Sequence, residues 1–256
     1  MALPYVNWIF WAAIGAGSLL VVGVTERLGG TTRGYRLFMA GFTVACALIL
    51  LVSELNLPGD VPAAATEGPR RILVLLFTAG SVAYLVASIV RLPRSGIAIG
   101  SGVIGLAALA VLALAGGSGS GALFAGQLLV AGLALGAVSA AMLLGHWYLV
   151  TPRLSPTPLR RMMWLLLAAL VAQVLLFALA VIVVPGDAVS GAMGWITWLR
   201  LVAGTLLPIV ATVLAILASR AASLQASTGL LYIGMALIMA GSIAGASITY
   251  LTGVPV

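Results

Sequence analysis

The chain has 256 residues, of which 63% are hydrophobic and only 7% are charged. A soluble domain carries roughly a quarter charged residues, because its surface must face water. The composition therefore excludes a soluble globular protein and predicts an outer surface that faces hydrocarbon. All 12 basic residues are arginine and the net charge is +7. We attribute this charge to loop orientation in a membrane, with lipid as the surrounding partner, and predict no nucleic-acid partner.

Long apolar stretches follow one another along the chain. A hydrocarbon core about 30 Å thick is crossed by about 20 apolar residues in a helix. Eight stretches of this length lie approximately at 5–24, 37–57, 72–91, 97–115, 121–149, 162–184, 195–218 and 229–252. The Gly-Gly-Ser-Gly-Ser-Gly run at 116–121 predicts a tight turn between the fourth and fifth spans. The sequence thus predicts an all-α polytopic membrane protein of about eight transmembrane helices, with residues 1–256 as one integral membrane domain.

The arginines are distributed unevenly between the connections. The connections after the first, third, fifth and seventh spans carry Arg27, Arg33, Arg36, Arg91, Arg94, Arg153, Arg160, Arg161 and Arg220. The opposite connections hold Asp60, Glu67 and Asp187, with only Arg70 and Arg71. Positively charged loops remain on the cytoplasmic side of a membrane. We therefore expect a multi-pass protein of the bacterial inner (plasma) membrane with both termini outside.

A weak internal repeat accompanies this topology. Gly15-Ala16-Gly17-Ser18 in the first span corresponds to Gly136-Ala137-Val138-Ser139 in the fifth. The third span runs from Arg71 to Arg91, and the seventh runs from Arg200 to Arg220 with the same spacing. Internal repeats are common among membrane folds. The pattern predicts a tandem repeat of 1–115 and 121–256, folded as two side-by-side four-helix bundles.

The inventory of metal ligands is short. The chain contains one histidine, His146, and one cysteine, Cys46. Zinc and iron–sulfur sites usually need three or four soft ligands, and a haem held by two histidines needs both of them. We predict no metal site and no cofactor bound by this chain alone. A haem would require a ligand from a partner subunit, and we assign no catalytic residue.

The end of the fifth span forms the first candidate site. His146, Trp147 and Tyr148 follow one another there, before the loop that contains Pro152 and Arg153. An imidazole next to an indole and a phenol is suited to binding a quinone carbonyl or relaying a proton. The alternative is a helix-end histidine bonded to the backbone and flanked by interfacial aromatic anchors.

A second candidate site lies at the opposite side. Glu54, Arg200 and Gln127 occur at similar depth in the second, seventh and fifth spans. Ionisable groups within membrane spans usually face the bundle and find partners, so Glu54 and Arg200 form a possible pair. Such a pocket would bind a quinone headgroup or a transported solute, whereas the alternative is interfacial snorkelling. Deeper in the chain, Pro208 frees a backbone carbonyl that Gln173 would be able to satisfy.

These features favour a membrane-anchor subunit of a larger respiratory or energy-transducing complex. In this hypothesis the chain contributes to a quinone or quinol site, and partner subunits supply the redox centres and the catalysis. In topology alone, the chain resembles the eight-helix quinol-handling anchors of the NrfD and DmsC type, and no residue role is carried over from them. A small-solute or lipid transporter is the first alternative. A structural or assembly subunit is the second.

Overall fold

The described residues of the chain form eight helices that are long and apolar enough to cross a membrane. The computed structural model describes residues 3–58, 65–114, 121–151, 154–183, 191 and 194–252. Its helices are α1 (Leu3–Arg27), α2 (Arg33–Leu55), α3 (Glu67–Val90), α4 (Ser95–Leu114), α5 (Gly121–Val150), α6 (Thr157–Val183), α7 (Gly194–Arg220) and α8 (Leu224–Thr252). The described part of the chain contains no strand. The predicted all-α polytopic membrane fold is therefore confirmed.

The helices extend beyond the apolar stretches from which they were predicted. The helix α2 begins at Arg33 instead of 37, and α8 begins at Leu224 instead of 229. Hydropathy locates only the part of a helix that lies in hydrocarbon, whereas backbone hydrogen bonds continue into the interface. At α2 the start is fixed by Thr32, whose hydroxyl accepts a hydrogen bond from the Tyr35 amide at 3.4 Å. The predicted turn at 116–121 lies outside the described residues, except for Gly121.

The helices pack as two sets of four. In the first set, α1 and α3 each pack against α2 and α4; in the second set, α5 and α7 each pack against α6 and α8. The same order of neighbours therefore occurs in both halves of the chain, as two side-by-side four-helix bundles require. The sequence repeat between 1–115 and 121–256 stays a prediction.

The two ends of the helices differ in charge. We use the name arginine face for the end at which α1, α3, α5 and α7 finish and residues 28–32, 91–94, 151, 154–156 and 221–223 lie. The other end, where α1 begins and α8 finishes, is the terminal face. Arg153, Asp60 and Asp187 lie outside the described residues. The assignment of the arginine face to the cytoplasm stays a prediction.

The helices α1 and α5 form the centre of the molecule. They are the most buried of the eight, with 78% and 72% of their apolar windows inside the protein. They touch through backbone at three glycines, because a Cβ atom on Gly17 would overlap the carbonyl group of Gly132, and one on Gly136 would overlap the carbonyl carbon of Gly17. Ser18 adds a long hydrogen bond of 3.5 Å to the carbonyl oxygen of Gly136. Small residues allow this kind of close approach in lipid.

We predict that Gly136→Ala destabilises the protein by about 1–3 kcal/mol, because the new methyl group meets backbone atoms that have no rotamer to change. Gly100→Ala is the matched control, since a Cβ atom at Gly100 meets nothing within 4 Å. The measurement is the midpoint of thermal unfolding of both variants in the same detergent. Equal midpoints would contradict the backbone contact between α1 and α5 at these glycines.

Candidate functional site

Glu54, the acidic residue of the candidate site at the terminal face, forms a buried ion pair. Its partner is Arg70 at the start of α3, with Nε–Oε2 and Nη2–Oε1 distances of 2.8 and 3.0 Å. Both side chains are almost fully shielded, at 0% and 2% exposure. The expected pairing of Glu54 with Arg200 is therefore wrong. Depth along the helix was similar, but Arg70 lies on the neighbouring helix α3, whereas Arg200 belongs to the other four-helix set.

Further groups complete the environment of Glu54. The indole nitrogen of Trp8 donates a hydrogen bond to Glu54 Oε2 at 2.7 Å, and the Arg70 guanidinium lies 5.7 Å from the centre of the Trp8 ring. Arg71 approaches the same carboxylate at 4.0 Å and also pairs with Glu67. This network ties α1, α2 and α3 together. Because its polar groups bind one another, the carboxylate of Glu54 is already occupied by protein partners and is not available to a ligand.

A second charged cluster, which the sequence analysis missed, lies near the arginine face. Glu26 at the end of α1 lies 2.7 Å from Arg94 and 3.5 Å from Arg36, and it accepts a hydrogen bond from the Tyr84 hydroxyl at 3.2 Å. These side chains come from α1, α2, α3 and the start of α4. The available signal was that Glu26 is the one acidic residue among the nine arginines assigned to this side.

The side chains of the candidate site at the arginine face, His146, Trp147 and Tyr148, point in three directions. His146 is exposed, and its Nδ1 lies 3.2 Å from the Tyr232 hydroxyl on α8. Trp147 packs against Gly34 of α2, and the buried Tyr148 donates a hydrogen bond of 2.8 Å to the carbonyl oxygen of Ser155. Successive residues of a helix are about 100° apart around its axis. The structure therefore does not bring these three side chains to one cavity.

Arg200 and Gln127, in contrast, meet inside the second four-helix set. Each lies six residues after the start of its helix, α7 or α5, which places both about 9 Å from the helix start. They line two adjoining cavities together, and we refer to this pair of spaces as the Arg200 cavity. One space is walled mainly by α1, α5 and α8; the other lies between α5, α6 and α7 and includes Gln173 and Thr205.

The local backbone of α7 and α8 makes room for Arg200. A Cβ atom on Gly245 would lie 2.5 Å from Arg200 Nε, so a glycine at this position admits the guanidinium. One turn earlier, Gly241 lies against Gly204 with the two backbones in contact. Gly204 belongs to a π-helical turn, Val202–Leu206, within α7. Such turns are rare and are often found at functional sites.

The π-helical turn also presents a polar side chain to the cavity. The π-helical character is shown by the hydrogen bond from the amide of Leu207 to the carbonyl oxygen of Val202, five residues earlier. Pro208, which follows directly, has no amide hydrogen to continue the regular pattern. Thr205 of the turn donates a long hydrogen bond of 3.5 Å to Gln173 Oε1. The glutamine therefore bonds to a threonine side chain, and not to the carbonyl freed by the proline.

Two hydrogen-bond donors of the Arg200 cavity have no acceptor in the described structure. No carboxylate of the described residues lies within 4.0 Å of the Arg200 guanidinium, and Arg200 is partly buried. The Gln127 side chain is 4% exposed, and its amide nitrogen has no hydrogen-bond partner in the described structure. An unpaired cation is costly within a membrane span, and such residues mark ligand or ion pathways. The arrangement is suited to a ligand that carries oxygen acceptors or negative charge.

Comparison with known proteins adds no assignment. No family model, no curated protein and no solved structure matches this chain. Within the described ranges, no group of three or more histidine, cysteine, aspartate or glutamate residues is placed to hold a metal ion. The Arg200 cavity is therefore the feature of the described residues that bears most directly on function.

We predict that the Glu54–Arg70 pair contributes to stability and shows non-additive substitution effects. Arg70→Met leaves a buried carboxylate without its main partner and is expected to cost about 3–5 kcal/mol. The double variant Glu54→Leu/Arg70→Met should lose less than the sum of the two single variants, because neither charge then remains buried alone. The measurement is a double-mutant cycle from unfolding midpoints in detergent.

The matched control for this cycle is Glu67→Gln. The Glu67 carboxylate pairs with Arg71, but their side chains are 50% and 40% exposed. Exposed ion pairs contribute about 0–1 kcal/mol. If Arg70→Met destabilised the protein no more than Glu67→Gln, the structural role of the Glu54–Arg70 pair would be refuted.

Proposed function

We propose that this chain is the membrane-anchor subunit of a larger respiratory or energy-transducing complex, and that the Arg200 cavity binds the headgroup of a quinone or quinol. Partner subunits then supply the redox centres and the catalysis. The observation that carries the proposal is the meeting of Arg200 and Gln127 as unpaired donors in a membrane-embedded cavity.

The donor set matches the chemistry of a quinone carbonyl. A guanidinium has five N–H donors and no acceptor, and a glutamine amide nitrogen has two donors. A quinone oxygen only accepts hydrogen bonds, so it satisfies both residues at once. Phe10 and Phe124 line the space nearer α1, and Phe177 lines the other. Their rings make much of the rest of the cavity wall apolar.

The size of the Arg200 cavity limits how a ligand enters it. Its two spaces have volumes of about 30 and 10 Å³. Such spaces admit an oxygen atom but not a ring, since a single water molecule already needs about 10–15 Å³ of this kind of space. Only the carbonyl end of the headgroup therefore enters the space between Arg200 and Gln127.

The need for partner subunits follows from the composition of the chain. With one histidine and one cysteine in 256 residues, the chain supplies few ligands for a redox centre. Its connections on the arginine face are short; the α1–α2 connection, for example, spans 28–32. In this proposal, catalytic domains are separate chains that dock on the helices. We place the complex in a bacterial inner membrane, with the arginine face in the cytoplasm and both termini outside.

One observation favours a second candidate function, a carrier of a small anionic solute. Many transporters bind substrate where a membrane helix is interrupted, at about the depth of the interruption. In α7 the π-helical turn Val202–Leu206 and Pro208 interrupt the regular helix directly after Arg200. The donor set of the Arg200 cavity would also bind a carboxylate.

We predict that extraction in a mild detergent, followed by mass spectrometry, recovers this chain with redox-active subunits in fixed stoichiometry and with bound quinone. The control is the same extraction of Gly100→Ala, which leaves the packing unchanged. Recovery of the chain alone, together with anion flux in proteoliposomes, would contradict the anchor function and support the carrier. Recovery alone without flux or bound quinone would instead favour a structural or assembly role.

We predict that Arg200→Gln lowers the quinone content of the purified protein by about tenfold or more, and that Gln127→Leu lowers it by about two- to tenfold. A hydrogen bond to a charged group contributes about 1.5–3 kcal/mol and one between neutral groups about 0.5–1.5 kcal/mol, and about 1.4 kcal/mol corresponds to a factor of ten in affinity. Arg91→Gln is the matched control, because Arg91 is an exposed arginine at the end of α3 on the arginine face. Unchanged quinone content in both cavity variants, at normal assembly, would exclude this site.

A further inference from the structure

An apolar groove lies between α1, α5 and α6, near the middle of α5 and α6 and in the part of α1 nearer the arginine face. It has a volume of about 350 Å³ and is almost entirely apolar. Its walls include Leu20, Val24, Leu133, Ala137, Leu165 and Ala168. The groove is separate from the Arg200 cavity and shares no lining residue with it.

The groove is open to the lipid side of the protein. Leu165 on its wall is 41% exposed, and Ala168 is also exposed. On α6 the lining positions from Leu165 to Ala172 span seven residues, or about 10 Å along the helix axis. Three of these positions are alanines, Ala168, Ala169 and Ala172, whose short side chains leave the space unfilled. A segment of a hydrocarbon chain fits a groove of this length and polarity.

Arginines lie at the end of the groove next to the arginine face. Arg161 is one helical turn before Leu165 on the same side of α6, and Arg27 is one turn after Val24 on α1. Arg161 reaches across from α6 to α1, where it donates a hydrogen bond of 2.8 Å to the carbonyl oxygen of Leu28. Arg27 is exposed, and within the described ranges neither arginine has a carboxylate within 4.0 Å. The mouth of the groove is therefore positively charged and not neutralised.

We propose that this groove is a binding site for an anionic glycerophospholipid, with one acyl chain between α1, α5 and α6 and the phosphate group at Arg27 and Arg161. Basic pockets between membrane helices bind anionic headgroups, and an apolar groove that continues from such a pocket holds the chain. A zwitterionic lipid would fill the groove equally well, but its quaternary ammonium group would offset much of the attraction between its phosphate and the two guanidinium groups. The charge of the mouth therefore determines the lipid class. This site is independent of the quinone proposal.

The test is native mass spectrometry of the purified full-length chain titrated with phosphatidylglycerol or with phosphatidylcholine of identical acyl chains. We expect phosphatidylglycerol to bind more tightly, by about fivefold for each arginine that contacts the headgroup. Arg27→Gln/Arg161→Gln should remove this preference while leaving the weaker binding of phosphatidylcholine. Arg91→Gln is the control with a charge change on the same face, away from the groove, and should keep the preference.

A second variant tests the groove itself. Ala168→Phe fills the space from an exposed position on α6 and should weaken binding of both lipids at least tenfold, whereas Ala178→Phe, at another exposed position of α6, should not. Unfolding midpoints close to that of the original chain show that the variants are folded. Equal binding of the two lipids by the original chain, or an undiminished preference in the arginine variant, would overturn the headgroup assignment. Unchanged binding of both lipids by Ala168→Phe would show that the acyl chain does not bind in the groove.

Discussion

The contact of α1 with α5 is the constraint on which both candidate binding sites depend. Within lipid there is little hydrophobic force between helices, so close packing of small residues must hold them together. Gly17, Gly132 and Gly136 provide that packing by letting the two backbones touch. The Arg200 cavity uses the terminal-face side of this contact, and the lipid groove lies beside the contact on α5 and on its arginine-face side on α1. A separation of the two helices would change the walls of both spaces together.

The charged residues divide into those that bind one another and those that do not. Glu54 and Glu26 are each held by two arginines and an aromatic donor, so their charges are neutralised within the protein. Arg200 has no such acidic partner among the described residues, although hydrocarbon makes an unpaired charge costly. This contrast separates groups that stabilise helix packing from a group that is available to a ligand, and it is the physical basis of the proposed function.

The sequence was sufficient for the number of spans because lipid imposes a length and a polarity on every helix that crosses it. It was not sufficient for the pairing of side chains, since depth along a helix says nothing about rotation around its axis. Glu54 was therefore assigned to Arg200 instead of Arg70. Gln127 and Arg200 were predicted at similar depth, and the structure does bring them together. The divergence of His146, Trp147 and Tyr148 followed from helix geometry and was predictable. Pro208 was the one feature of the sequence that indicated the π-helical turn.

The burial of α1 has a consequence for how the protein is made. A helix that is apolar around its whole circumference is stable in lipid by itself, although in the finished protein it is surrounded by other helices. The helix α1 is synthesised before two of its neighbours, α4 and α5. Lipid must therefore cover the glycine surface of α1 until the fifth helix inserts and displaces it. Assembly of the centre is thus complete only after the fifth helix has been inserted.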